Sequence, residues 1–130
     1  MSEQLLLDTN ILIWTLSASY KISKAARRAM SSSNSALAVS TISIWEIVLK
    51  HQAGKLTLPA TLEEVVDQVL FHSPWIILPL RPEHLLSLTS LPMLHKDPFD
   101  RLLISQARYE RMAILTADEN IREYDVQVIW

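Results

Sequence analysis

Residues 4–8 are Gln-Leu-Leu-Leu-Asp, a short apolar run that ends directly in a polar turn. Three consecutive leucines are typical of a buried strand, and the aspartate marks the point where that strand leaves the sheet. Residues 10–17 then have the composition of a helix. The chain therefore opens its regular structure with a strand–turn–helix unit, and the fold depends on whether that alternation continues.

The alternation does continue along the chain. Further strands are predicted at residues 36–40, 75–78, 113–116 and 127–130. Helices are predicted at 24–32, 42–52, 82–88 and 98–112, with another after Thr61 and a helical turn at 119–124. Ser23 and Thr61 are expected to cap helices at their N-termini, and Gly54 to end the helix 42–52. We therefore expect one α/β domain over residues 1–130, with a parallel sheet that binds ligands beyond the carboxyl ends of its strands.

Composition excludes several kinds of chemistry. The 130 residues include one glycine, Gly54, and no cysteine. A glycine-rich phosphate loop, a thiolate nucleophile, a cysteine-ligated metal and a disulfide are therefore all excluded. No apolar run approaches the roughly 20 residues that cross a bilayer, and the N-terminal residues carry no basic segment. We expect a cytoplasmic protein without a membrane-spanning segment.

Aspartates follow two of the predicted strands. Asp8 ends the first strand, and Asp118 stands two residues past the strand 113–116. Each has an alternative role as a helix N-cap, because an aspartate side chain accepts hydrogen bonds from the free N–H groups of a first turn. Parallel strands end at a common edge, so we expect both side chains there.

Glu46 lies in an almost wholly apolar helical segment, Ile-Ser-Ile-Trp-Glu-Ile-Val-Leu (42–49). Helical spacing predicts that it shares a face with Ile42, Trp45 and Leu49. Glutamate is rarely buried without a partner. Its carboxylate therefore either forms an ion pair, with Lys50 or a distant arginine, or belongs to a metal or active site, and we favour the second interpretation.

Asp97-Pro98-Phe99-Asp100 opens the predicted helix 98–112. Asp97 is suited to the N-cap and Pro98 to the first helical position, while Asp100 falls where the helix dipole favours an anion. Capping explains Asp97 completely. It explains Asp100 only in part, because this helix leads into the strand 113–116 and its start lies at the edge where Asp8 and Asp118 are expected.

The predicted sheet edge thus gathers four carboxylates, those of Asp8, Glu46, Asp100 and Asp118. Carboxylates at close range raise one another's pKa unless cations neutralise them. Ligation by oxygen alone suits Mg²⁺ or Mn²⁺ rather than zinc. Such a site is suited to hydrolysing phosphodiesters, and its cations supply the positive charge that a formal net charge of −2 lacks.

Four segments carry a family resemblance: Leu-Leu-Asp-Thr-Asn-Ile-Leu-Ile (6–13), Ser-Ile-Trp-Glu-Ile (43–47), His-Lys-Asp-Pro-Phe-Asp-Arg-Leu-Leu-Ile-Ser-Gln-Ala (95–107) and Leu-Thr-Ala-Asp (115–118). In this order and with this spacing they resemble the PIN domain, and more narrowly the VapC-type toxin ribonucleases of prokaryotic toxin–antitoxin pairs. The resemblance implies a PIN-like α/β/α sandwich with a central, mostly parallel sheet. It also implies Mg²⁺- or Mn²⁺-dependent cleavage of RNA, a homodimer and inhibition by a cognate antitoxin.

The same resemblance assigns roles to individual residues. It implies that the catalytic and metal-binding residues are Asp8, Glu46, Asp100 and Asp118. Asp97 belongs to an Asp-Pro-Phe-Asp-Arg variant of the motif and would serve as a cap or as an outer ligand. Thr9, Asn10 and Thr116 match flanking polar positions that would orient water or a carboxylate.

Basic residues flank the start of the helix 98–112. Lys96, Arg101 and His95 are candidates for contacts with RNA phosphates, although a solvated position near a helix end explains them equally well. Lys50 and Lys55 are more typical of a solvated helix face. The four histidines, at 51, 72, 84 and 95, share no metal-ligand spacing.

Two other functions stay open at the level of sequence. A receiver-like signalling domain has a similar size and sheet type, but it would need a lysine near its last strand, and no lysine follows Lys96. A PIN-like module that binds RNA or a protein without cleaving it is the second alternative. The intact set of four acidic residues argues against lost catalysis.

Overall fold

A computed structural model describes residues 3–130 of the chain. Within this range one sheet contains five strands: β1 (Glu3–Leu7), β2 (Ser35–Ser40), β3 (Ile76–Leu78), β4 (Ala113–Leu115) and β5 (Val128–Ile129). Their order is β3-β2-β1-β4-β5, and each neighbouring pair is parallel. The prediction of a mostly parallel sheet is confirmed, and the described sheet is in fact entirely parallel.

The described residues form seven α-helices: α1 (Thr9–Ser17), α2 (Lys24–Ser31), α3 (Thr41–Gln52), α4 (Leu62–Phe71), α5 (Pro82–Ser87), α6 (Pro98–Glu110) and α7 (Glu119–Arg122). Predicted and observed bounds of strands and helices agree to within two residues. The predicted caps are also present: Ser23 Oγ accepts from the Ala26 amide at 3.1 Å, and Thr61 Oγ1 accepts from the Glu64 amide at 3.2 Å. From residue 3 to residue 130, no helix has both the length and the hydrophobicity to pass through a bilayer.

Both faces of the sheet are covered by helices, because successive strand residues point to opposite sides. On one face Leu6 and Ile114 pack with Leu103 and Ile104 of α6. On the other, residues of the same strands pack with helices α1 to α4; these residues are Leu5, Leu7, Val39, Ala113 and Leu115. Burial on both sides explains the unbroken leucine run of β1 and produces the predicted α/β/α sandwich.

Helix α3 contributes to both layers of the core. Ile42 belongs to the cluster that contains α6, and Ile47 belongs to the cluster that contains α1. The helix follows β2 directly, because Ser40 ends the strand and also caps the helix by accepting a hydrogen bond from the Ile42 amide at 3.0 Å. The first turn of α3 is thereby placed at the carboxyl end of the sheet.

Candidate functional site

Asp8 continues β1 at the carboxyl end of the sheet. Its backbone amide donates to the carbonyl of Leu115 in the neighbouring β4 at 3.0 Å, which holds the residue beside the end of that strand. Asp8 stands at the N-cap position of α1, but its side chain makes no capping hydrogen bond. Instead Asp8 Oδ2 accepts from Thr116 Oγ1 at 2.7 Å. The capping alternative for Asp8 is therefore wrong.

The carboxyl of Asp8 is 4% exposed and belongs to a shared acidic environment. Burial raises its pKa to about 6, against the opposing effect of the hydrogen bond from Thr116. The negative charges of Glu46 and Asp118 raise the pKa of Asp8 further. The fold thus brings helix α3 and the segment after β4 within electrostatic range of the end of β1.

Asp118 does cap a helix, as its alternative role predicted. Its Oδ1 accepts from the Asn120 amide in the first turn of α7 at 2.9 Å. The backbone amide of Asp118 donates to Thr116 Oγ1 at 3.0 Å, and that same hydroxyl donates to Asp8. Buried Thr116 therefore links the two strand-end aspartates.

The start of α6 contributes two more carboxylates. Asp97 Oδ1 caps the helix by accepting from the amides of Phe99 at 2.9 Å and Asp100 at 3.2 Å. Asp100 is nearly buried, and its Oδ2 lies 3.0 Å from Nε2 of His95. Burial, then the charges of Asp8 and Asp97, raise the pKa of Asp100 to about 7. The negative charge of Asp8 thus acts on the carboxyl of Asp100.

His95 is a member of this cluster that spacing in the sequence did not indicate. One ligand atom from each of His95, Asp97 and Asp100 lies within 4.8 Å of the other two. In the part of the chain that the structure describes, no three of the predicted carboxylates Asp8, Glu46, Asp100 and Asp118 come that close together. The four are brought into one electrostatic environment by β1, α3, α6 and the end of β4.

Helical spacing predicted the face of Glu46 only in part, because Ile42 is the one expected companion that is buried with it. Glu46 is 6% exposed and shares the buried face with Ile42, Ser43 and Ile47. The expected companions Trp45 and Leu49 are 51% and 40% exposed, so this part of the prediction is wrong for them. Helix α3 packs against both layers of the core, and its rotation therefore turns the carboxylate of Glu46 inwards and the indole of Trp45 outwards.

One oxygen of Glu46 has a partner and the other does not. Oε2 forms an ion pair with Nζ of Lys50 one turn later, at 2.8 Å, as one of the two interpretations expected. Oε1 is buried and has no hydrogen-bond partner. A buried oxygen of an anion is costly unless it is satisfied, and a divalent cation ligated by oxygen atoms would satisfy it. The donor set therefore fits Mg²⁺ or Mn²⁺.

Lys50 belongs to the acidic environment, although its sequence context indicated a solvated helix face. Partial burial by itself would lower the pKa of its ammonium group, but the hydrogen bond that Lys50 donates to Glu46 and the charge of Glu46 outweigh this effect. The charges of Asp97 and Asp100 act in the same direction, so the pKa of Lys50 is raised above its ordinary value. The spacing of four residues between Glu46 and Lys50 is the sequence signal for this ion pair, which was one of the two interpretations of Glu46.

The supporting residues occupy different positions. Thr9 is buried and its Oγ1 donates to Ser43 Oγ at 3.0 Å, which ties α1 to α3, whereas Asn10 is exposed. Lys96 is also exposed. Arg101 instead faces inwards: its Nη1 donates to the carbonyl of Pro92 at 2.8 Å and to the hydroxyl of Tyr124 at 3.0 Å.

The arrangement of acidic residues beyond a parallel sheet of order β3-β2-β1-β4-β5 agrees with a family match. The family model of the PIN domain matches residues 5–127, so the chain belongs to the PIN domain family. PIN domains are typically nucleases. The receiver-like alternative is thereby excluded; doubly wound sheets of the receiver type have the order 2-1-3-4-5.

Solved structures with the same fold are components of toxin–antitoxin complexes. One is VapBC2 from Rickettsia felis bound to a promoter DNA fragment, with TM-score 0.71, 17% identity and 96% of each chain covered. Another is FitAcB from Neisseria gonorrhoeae, with TM-score 0.66, 19% identity and 95% of each chain covered. A third is VapBC-1 from nontypeable Haemophilus influenzae, with TM-score 0.64, 19% identity and 96% of each chain covered. The search of curated proteins found no match.

Proposed function

We propose that the chain is a Mg²⁺- or Mn²⁺-dependent endoribonuclease and the toxin of a toxin–antitoxin pair. Membership of the PIN family supports nuclease activity. The observation that carries the proposal further is the unpartnered, buried Oε1 of Glu46 beside carboxylates whose pKa values are raised by burial and by one another. Such a set of oxygen atoms is stabilised by a divalent cation.

Asp8, Glu46, Asp100 and Asp118 would hold the cation in this proposal. When bound, the ion supplies positive charge that stabilises the phosphodiester transition state and acidifies water. The chain itself orients the ligands: Thr116 donates to Asp8, and His95 lies against Asp100. Asp97 fixes the first turn of α6 as its cap, with an outer-ligand role as the further possibility that the motif implies. Lys96 and Arg101 are proposed to contact RNA, with exposed Lys96 the better placed of the two.

The toxin role and the partners are supported by the kinds of complexes that share the fold. The similar chains from Rickettsia felis and Neisseria gonorrhoeae are described as VapBC2 and FitAcB, and another neighbour is described as a toxin–antitoxin complex from Klebsiella pneumoniae. On this basis we infer a cognate antitoxin and a homodimeric toxin. An enzyme that cleaves cellular RNA would act in the cytoplasm.

The decisive experiment is incubation of the purified protein with RNA in Mg²⁺ or Mn²⁺, with EDTA as the control. We expect cleavage that requires the cation. We expect it to be lost in the Asp100→Asn variant, because this substitution removes the negative charge while the side chain keeps nearly the same shape. Binding of RNA without cleavage, in the native protein and in either metal, would favour a non-catalytic PIN module instead. Cleavage that persists in EDTA would exclude the proposed chemistry.

A test of the toxin role is independent of the mechanism. Expression of the chain alone should arrest growth of a bacterial host, whereas Asp100→Asn should not. Co-expression with a small DNA-binding protein encoded next to its gene should restore growth. Arrest by both the native and the Asp100→Asn chain would show toxicity that does not depend on the acidic site.

A further inference from the structure

We propose that Lys50 forms a phosphate-binding subsite at the edge of the acidic site, where it contacts a backbone phosphate of single-stranded RNA. This inference rests on the proposed nuclease function, and it assigns to the substrate a residue outside the four segments that carry the family resemblance. The ligand class is a phosphodiester group, recognised by an ammonium point charge.

The position of Lys50 supports this role. Its Nζ lies 2.8 Å from Glu46 Oε2, so the ammonium group is held directly beside one of the proposed metal ligands. The lysine side chain is 41% exposed whereas that of Glu46 is 8% exposed. The ammonium group has three donors, of which the ion pair uses one, and the remaining donors are available on the solvent side.

Electrostatics at the site explains why such a contact is needed. The cluster combines Glu46 with Asp8, Asp97, Asp100 and Asp118, and the substrate is itself a chain of anions. A phosphate that approaches these carboxylates is repelled unless cations lie nearby. Lys50 feels the charges of Glu46, Asp97 and Asp100, which places its ammonium group in the field that a substrate must enter.

The other basic residues near the site are less suitable. Arg101 donates hydrogen bonds from Nη1 to the carbonyl of Pro92 and the hydroxyl of Tyr124, and these bonds anchor the segment before α6. Lys96 is exposed in that segment and has no described contact with the acidic groups. Lys50 is instead held by a rigid helix, since α3 is packed against both core layers.

The alternative is that Lys50 only holds Glu46 in place. The two roles differ in how RNA affinity depends on salt. Each phosphate contact in a single-stranded complex contributes about 0.7 to the slope of log affinity against log salt concentration. A residue that merely positions Glu46 leaves that slope unchanged, even if it lowers the rate of cleavage.

The test uses fluorescence anisotropy to measure how tightly the protein binds a short fluorescein-labelled single-stranded RNA of mixed sequence. The affinity is measured at a series of salt concentrations, with Ca²⁺ as the divalent cation. We expect Lys50→Met to weaken binding by about tenfold and to lower the salt slope by about 0.7. The matched control is Lys55→Met, which removes an exposed lysine just beyond α3 and should change neither quantity.

A second variant guards against misfolding. Lys50→Met leaves the buried Glu46 without its ion-pair partner, which can destabilise the fold. The same lysine substitution is therefore made in a Glu46→Gln background, where residue 46 carries no charge that needs a partner, and thermal unfolding is recorded for every variant. The slope should still fall by about 0.7 relative to Glu46→Gln alone.

The outcomes separate this proposal from the proposed function. An unchanged slope in both backgrounds overturns the phosphate contact and leaves Lys50 a positioning residue for Glu46. If Lys50→Met lowers the salt slope but the native protein does not cleave RNA in Mn²⁺ or Mg²⁺, the phosphate contact is supported and the proposed nuclease function is overturned. A native chain that does not bind RNA at all overturns both.

Discussion

The segments after β1 and β4 each place an aspartate at the same edge of the sheet, but the two side chains differ in burial and in the hydrogen bonds that they accept. Asp8 is almost fully buried and caps nothing, whereas Asp118 is half-buried and caps α7 through Oδ1. One residue, Thr116, touches both by donating to Asp8 and accepting from the amide of Asp118. The same residue type after neighbouring strands therefore has two different energetic roles.

The difference teaches that burial changes how costly the charge of a carboxylate is at the same edge of a sheet. Burial raises the pKa of Asp8 to about 6, so its charged form is costly without a cation. Asp118 is only half-buried, and its Oδ1 accepts a hydrogen bond from the first turn of α7. We therefore expect Asp8 to depend on a cation more strongly than Asp118 does.

The largest expected effect concerns catalysis. Asp8→Asn should lower kcat/KM for RNA by about 10³-fold, which corresponds to about 4 kcal/mol of transition-state stabilisation. Asp118→Asn should lower kcat/KM by about 10- to 100-fold, because an asparagine still caps α7 and only the carboxylate oxygen that does not cap the helix is replaced. Initial rates in saturating Mn²⁺ give both values. Equal losses in the two variants would erase the proposed difference between the two aspartates.

The next effect concerns stability against pH in the absence of metal. An unfolded aspartate loses its proton near pH 3.8, whereas native Asp8 keeps it until about pH 6 and Asp100 until about pH 7. Between these values the native state binds more protons, so the free energy of unfolding falls as pH rises. The contribution of Asp8 is on the order of 3 kcal/mol, fully present below pH 4 and lost as pH rises past 6.

Urea unfolding in EDTA at a series of pH values measures this effect. Asp8→Asn should flatten the decline and should be more stable than the native chain near pH 8, because the costly buried charge is gone. Asp118→Asn should keep most of the native pH dependence, because the charge of Asp118 is the smallest of the contributions to the raised pKa values of Asp8 and Asp100. A native chain that gains stability from pH 4 to pH 8 without metal would contradict the raised pKa values.

A smaller effect is expected at the residue that joins the two loops. Thr116→Val keeps the side-chain shape but removes the hydroxyl, which leaves buried Asp8 without its donor and the Asp118 amide without its acceptor. We expect a loss of about 1–3 kcal/mol in the free energy of unfolding and a weaker affinity for Mn²⁺. Thr116→Ser retains the hydroxyl and should recover most of both quantities. Calorimetric titration with Mn²⁺ and denaturant unfolding provide the measurements.

The smallest effect concerns Asp97, the cap of α6. Asp97→Ala should destabilise the fold by about 1 kcal/mol, and Asp97→Asn or Asp97→Ser should restore this stability because both side chains cap well. If Asp97 is a cap only, the two capping variants will also bind Mn²⁺ like the native chain. Weaker Mn²⁺ binding in both, at native stability, would instead identify Asp97 as an outer ligand.

Much of the fold was predictable because its signals are local. The apolar runs of β1 and β4, the caps at Ser23, Thr61 and Asp97, and the strand–helix alternation each depend on residues close together in sequence. Alternation with short connections favours a parallel sheet, whose strands end at one edge. The positions of Asp8 and Asp118 after their strands follow from this rule.

The details of the candidate site were less predictable. Helical spacing correctly grouped Glu46 with Ile42 but wrongly with Trp45 and Leu49, because α3 packs against two core layers and its rotation depends on both. The ion pair of Lys50 with Glu46 was one of two interpretations left open, and the contact of His95 with Asp100 was not predicted, because it depends on the path of the segment before α6. Contacts of this kind join elements that lie far apart in sequence.

The sequence by itself determined the order and type of the elements, the caps and the supply of carboxylates at strand and helix ends. These properties arise from periodicity and from hydrogen bonds that span a few residues. Only the tertiary structure decided which carboxylates are buried, which share a hydrogen bond through Thr116, and that Glu46 keeps one oxygen unsatisfied. Burial and electrostatic coupling depend on how helices pack across the sheet, so no local pattern specifies them.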